Sequence, residues 1–334
     1  MKFIRTKEPL YAATVHPSRN AQGRHFYHRM PRCEMTHPLR LLFLAPPQAA
    51  HSPGLEYAGD LARALGVPLH VAMFTEPHGV EPPGHAVTER PDIVRDNLMS
   101  SRRKWLESES AHLQEKGVDV HPELVCASSS AVECVAYAQR VEADLIIKDI
   151  QERPGLAQRG LSALDWELLS VSPIAVLYVL PGPIQTPSKF LVAVDMESQA
   201  KGNRDNHSLI EAARHLANAC GASLHVISVY DCAAASHGDL SLYEAQVQAF
   251  DALASQHGIA SQHRHFIPGA PANAIHAYLQ RSAYNLLVIG AADHHTQASD
   301  IGLTAEGILE DPMCSVLMIK LPADAAPQQA KRYG

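Results

Sequence analysis

The chain has 334 residues, 46% of them hydrophobic, and a net charge of −7. That length suits about two domains of ~150 residues, and the apolar share supplies a core for each. The acidic balance argues against a general nucleic-acid binder, and no apolar run approaches the ~20 residues that a membrane helix needs.

Residues 1–37 hold seven Lys/Arg (Lys2, Arg5, Lys7, Arg19, Arg24, Arg29, Arg32) against Glu8 and Glu34, a net +5 that leaves −12 for the rest. The segment lacks apolar periodicity, and it lacks the apolar stretch and cleavage site of a secretory signal. It reads as a disordered basic tail. A translation start at Met35 and an arm touching RNA or a membrane are the alternatives.

From residue 38 the pattern changes. Short apolar runs rich in Val, Ile and Leu occur at 40–47, 68–74, 143–150 and 173–180, and helical patterns at 54–66, 91–116, 130–142 and 161–171. Such runs suit strands buried on both faces, as in a parallel sheet. "PGPIQTPSK" (181–189) places three prolines in nine residues and reads as a linker. The same succession then repeats. Runs at 189–196, 223–230, 284–291 and 314–321 alternate with helical patterns at 206–220, 239–257, 271–283 and 303–311. "PLHVAMF" and "SLHVISVY" are one such matched pair. Ser128–Ser130 offers an N-cap, Pro271 suits a first helical position, and Gly66, Gly117, Gly221 and Gly258 sit where helices should stop.

Strand–helix alternation predicts right-handed βαβ units. The fold class is therefore α/β, with two tandem doubly wound parallel five-stranded sheets. The expected domains are 38–181 and 189–322, joined by 182–188 and followed by a tail at 323–334. Sheets of this kind bind ligands outside the carboxyl ends of their strands. In the second domain Asp195 ends the first strand, Gly290 ends the fourth, and Gly302 and Thr304 open the last helix. A strand-end carboxylate accepts hydrogen bonds from a ribose or base amine, and a glycine at a helix start lets a phosphate approach the N–H groups.

Other chemistry is sparse. The cysteines (Cys33, Cys126, Cys134, Cys220, Cys232, Cys314) form no CxxC and read as reduced thiols. "HRH" places His263 and His265 on one face of an expected strand, with His257 and His294–His295 as conceivable neighbours. Solvated histidines are the preferred reading over a metal site. Arg102, Arg103 and Lys104 read as a solvated helix face. Trp105 and Trp166 read as core or interface residues. No nucleophile motif, Walker lysine or HExxH appears.

"FLVAVD" (190–195) opening a domain and "LLVIG…GLTAEGILEDPMCSVLMIK" closing it resemble the universal stress protein family. Two such units, with "LDWELLSVSPIAVLYV" (164–179) and Lys148, resemble its tandem class and the E-type members within it. The resemblance covers about residues 38–322. It implies pairing through the last strand of each domain, supplied within one chain or by a homodimer. Some members hold ATP with a strand-1 Asp and a G-x2-G-x9-G-[ST] loop. Asp195 matches the Asp, Gly290 the first glycine and Gly302 the third. Leu303 takes the Ser/Thr place, with Thr304 one later. Asp293 replaces the second glycine, with eight rather than nine residues between it and Gly302, and there it repels phosphate; His294 and His295 offset it only when protonated. In the first domain Pro46 takes the Asp position and Lys148 and Gln151 the glycine positions, so no nucleotide site is expected there.

The resemblance implies a cytoplasmic, non-enzymatic protein of stress adaptation that binds a small ligand or a protein partner. ATP in the second domain is its one implied cofactor. No metal, nucleic acid or membrane partner is implied. An ATP-binding regulator or slow ATPase, and a carrier of an apolar or acyl ligand, are the alternatives.

Overall fold

The computed structural model describes residues 39–49, 52–76, 91–151, 160–182, 187–197, 202–231, 240–291 and 302–320. The basic segment, the C-terminal tail, and Asp293, His294 and His295 lie outside them.

Among the described residues, ten strands and eight helices follow in chain order. The first domain comprises β1 Leu41–Leu44, α1 Pro53–Leu65, β2 Leu69–Thr75, α2 Pro91–Glu115, β3 Val120–Cys126, α3 Ala131–Arg140, β4 Leu145–Asp149, α4 Ala163–Val171 and β5 Ala175–Val179. The second comprises β6 Lys189–Ala193, α5 Gly202–Ala219, β7 Ser223–Tyr230, α6 Leu240–Gln256, a 3-10 turn Ser261–His263, β8 Arg264–Pro268, α7 Pro271–Arg281, β9 Leu286–Ala291, α8 Leu303–Glu310 and β10 Ser315–Lys320.

The helices start where short polar side chains or prolines allow. Ser52, Ser130 and Ser162 each accept a backbone N–H one turn into α1, α3 and α4. Pro271 stands in the first turn of α7. Gly66 ends α1 in the left-handed region at φ 68°, where a side chain is disfavoured.

Within each domain every strand pair is parallel, in the orders β3-β2-β1-β4-β5 and β8-β7-β6-β9-β10. The two sheets are not separate. β10 pairs antiparallel with β5, Leu317 opposite Leu177, so ten strands form one continuous sheet with β3 and β8 at its edges. The antiparallel seam turns the carboxyl ends of the two domains' strands in opposite directions.

Side chains alternate across the sheet. Leu41 and Phe43 join one core, with α1, α2, α5 and α6. Leu42 and Leu44 join the other, with α3, α4, α7 and α8. Each core runs through both domains, so the seam is a packed interior.

Candidate functional site

Equivalent positions of the two domains follow from the sheet register. Leu41 pairs with Leu145 as Phe190 pairs with Leu286. Pro46 is therefore the counterpart of Asp195. The counterpart of Gly290 is Asp149, and not Lys148 as the sequence suggested.

In the second domain, β6 and β9 are neighbours, so Asp195 and Gly290 stand at adjacent strand ends. Helix α8 crosses between the parallel strands β9 and β10 and therefore begins at that same end. Gly302, Thr304, Asp195 and Gly290 are thus brought to one edge of the sheet. The Asp195 backbone is clamped by the buried Asn206 of α5: its N–H donates to Asn206 Oδ1 (3.1 Å) and its carbonyl accepts from Asn206 Nδ2 (2.6 Å). Its exposed carboxylate accepts the Glu197 N–H at 2.8 Å.

Gly302 caps α8 at φ 94° and, as a glycine, brings no side chain to the first N–H groups. Glu306, in the first turn, answers part of the helix dipole. Burial, and then the neighbouring Asp195 carboxylate, raise the pKa of Glu197, against a backbone hydrogen bond from Asp231 that lowers it. This end of the sheet therefore carries carboxylates after β6 and β7 and the N-terminus of α8.

The first domain fills the same places from within. Asp149 ends β4 and turns onto the start of α1, accepting Ser52 Oγ–H at 2.5 Å and Gly54 N–H at 2.7 Å. A Cβ on Gly54 would fall 2.5 Å from Asp149 Oδ1, so this position requires glycine. The start of α4 is closed by a reciprocal box. Asp165 Oδ2 accepts the Ser162 N–H (2.7 Å) and Oγ–H (2.6 Å), and Asp165 N–H donates to Ser162 Oγ. Lys148 Nζ meets Asp165 Oδ1 at 2.7 Å, and both are buried. Above β1 and β2, Arg102 donates to the Pro47 carbonyl and the Thr75 hydroxyl. Arg102 is therefore not part of the solvated face expected of α2, whereas Arg103 and Lys104 are exposed.

The histidines form clusters that the sequence did not resolve. His263 belongs to the 3-10 turn rather than to β8, yet it and His265 both reach His225 of β7. His257 lies elsewhere, between His207 (2.6 Å) and Glu211 (2.9 Å). No group of three or more His, Cys, Asp or Glu among the described residues has the arrangement of a metal site. Trp105 and Trp166 pack partly buried against the two cores. No helix among the described residues is long and apolar enough to cross a membrane.

A family model described as the universal stress protein family matches residues 44–179 and again 187–320. The chain belongs to the universal stress protein family. It is 25% identical over 217 residues to a universal stress protein E homolog of Haemophilus influenzae, covering 61% of this chain and 70% of the relative. It is 23% identical over 241 residues to universal stress protein E of Escherichia coli K12, covering 68% and 76%. A universal stress protein structure from Pseudomonas aeruginosa UCBPP-PA14 superposes with a TM-score of 0.68 at 22% identity, over 84% of this chain and 92% of that one. One from Archaeoglobus fulgidus superposes at 0.63 and 17%, over 84% and 98%. These structures share the fold in tandem form.

Proposed function

We propose that this universal stress protein acts by binding rather than catalysis, and that its small-ligand site is the carboxyl end of the strands of the second domain. The ligand class is an adenine nucleotide. Asp195 accepts hydrogen bonds from the ribose or the base amine, and the α8 N-terminus at Gly302 and Thr304 faces the phosphates. The observation that carries this reading is the contrast between the halves. Asp149 and Asp165 occupy the helix starts of the first domain, while the cap position of α8 is a glycine with no side chain to offer.

Affinity is expected to be modest, because Glu197, Asp231 and Glu306 add negative charge. Calorimetric titration of the full chain with ATP, with and without Mg²⁺, tests it. A Kd of about 100 µM, ~5.5 kcal/mol, abolished in Asp195→Ala and unchanged in Asp149→Asn, is the expected result. No heat at millimolar ATP rules the reading out.

A second reading, an apolar or acyl ligand, rests on one groove. Ala131, Val132, Trp166, Ser170 and Val171 line about 490 Å³ of space between α3, α4 and α8, with Glu167 and Glu306 at its margin. Native mass spectrometry after gentle purification decides it: a bound lipid-like mass supports the groove, and a bare chain excludes it.

A further inference from the structure

The edge of the sheet in the second domain carries a cluster that nucleotide binding does not use. His225, on β7 and nearly buried, meets His265 of β8 with Nδ1 and Nε2 3.1 Å apart. The two rings lie within 9° of one plane, their centroids 5.4 Å apart. A centroid separation so much longer than the N···N distance sets the rings end to end, the arrangement of an N–H···N hydrogen bond. Such a bond needs one nitrogen with a proton and one without. Tyr284 Oη lies 3.2 Å and 3.4 Å from the same two nitrogens and 3.1 Å from Tyr278 Oη, extending the network to α7. His263 stacks on His225 at 4.1 Å.

The electrostatic influences on His225 come from His263, His265 and Lys189 of β6, all positive when charged. Ser223 Oγ, at 3.5 Å from Nε2, and the two tyrosines complete its polar surroundings. No carboxylate faces it among the described residues.

The first domain repeats part of the cluster, with Ala143 at the place of Tyr284 and a carboxylate at the place of His265. His70 pairs in register with His121, their rings stacked at 5.0 Å. Tyr137 and Tyr278 occupy matching helix positions in "AYAQR" and "AYLQR". The counterpart of His265 is Glu123, which accepts from Tyr137 at 2.9 Å and pairs with Arg140, while Asp119 pairs with His121 at 3.4 Å. The first domain thus supplies carboxylates to its histidine pair, and the second supplies a third imidazole. β8 is also an edge strand, its ladder held by β7 alone.

We propose that the β7–β8 edge is an acid-released fastening: protonation of the His225–His265 pair breaks the imidazole–imidazole bond and detaches β8 while the rest of the sheet stays paired. Burial and the neighbouring imidazoles hold His225 down to about 4, and they lower His265 as well. A native base held below its unfolded value of 6.5 stabilises above pH 6.5 and loses that stability as the pH falls toward 4. With those two values, release of His225 becomes about 30-fold easier at pH 5 than at pH 7.5.

The test is hydrogen–deuterium exchange of the full chain from pH 7.5 to 5, corrected for intrinsic rates. Peptides over 223–230 and 261–268 are expected to lose about 30-fold protection at pH 5, with much smaller changes over 69–75 and 120–126. His265→Glu copies the first domain, offers Tyr278 an acceptor, and should shrink the loss to about threefold. Equal loss in both domains overturns the proposal. So does an unaltered pH profile in a folded His265→Glu; if that variant does not fold, the wild-type comparison between domains decides alone.

Discussion

Lys148 and Asp165 form a buried ion pair in the first domain, and their counterparts in the second are the buried residues Ile289 and Ala305. The protein thus contains two solutions to one packing problem, and each can be moved onto the other. Lys148→Ile leaves Asp165, which is fully buried, with only the Ser162 groups on one oxygen. Stranding a buried charge costs about 3–5 kcal/mol, or roughly 10 °C in Tm at ~2–4 °C per kcal/mol. Asp165→Ala strands Lys148 and loses the capping box, at a similar cost. The double variant Lys148→Ile/Asp165→Ala removes both charges, and an apolar pair of similar volume is often neutral. It should lie within ~2 kcal/mol of the wild type, the remainder being the lost cap. Urea unfolding of the four proteins closes the cycle. A double variant as destabilised as the sum of the singles refutes the reasoning, since the pair would then be uncoupled.

Gly54→Ala should displace the Asp149 carboxylate from α1 and cost ~1–3 kcal/mol, read as a lower urea midpoint with an unchanged m-value. Cys134 and Cys314 are buried, with burial pushing their thiols up to about 11 and about 12; an alkylating reagent at pH 8 should modify exposed Cys126 in the native protein and spare those two, as peptide mapping will show. Below pH 6.5 the unfolded chain binds more protons than the native one at His70, His225, His257 and His265, all lowered mainly by burial. The urea midpoint should therefore fall between pH 7.5 and 5; a flat profile contradicts those environments.

The sequence carried the local half of the structure and little of the rest. Strands stood out as apolar runs because both faces are buried, and helix limits agreed within a residue or two where Ser52, Ser162 or Pro271 caps them. α5 starts earlier than expected, at Gly202, since its first turn is polar. The grouping of Asp195, Gly290, Gly302 and Thr304 at one sheet edge followed from the βαβ rule. What stayed hidden depends on partners distant in the chain. Arg102 looked solvated because nothing in α2 points to Pro47. Lys148 looked like a lost glycine because only register distinguishes it from Asp149. The histidine cluster joins β7, β8 and the end of α7, and the repeat that would have revealed it is written in single residues, His70 with His121 and His225 with His263.

The seam between β5 and β10 has an evolutionary corollary. A symmetric dimer of single domains suffers every substitution twice, once in each copy of the site. Here the pairing strands belong to one chain, so each half mutates alone. One half is thereby free to close its helix starts with carboxylates, as Asp149 and Asp165 do, while the other diverges at the same places. The fused sheet makes division of labour heritable.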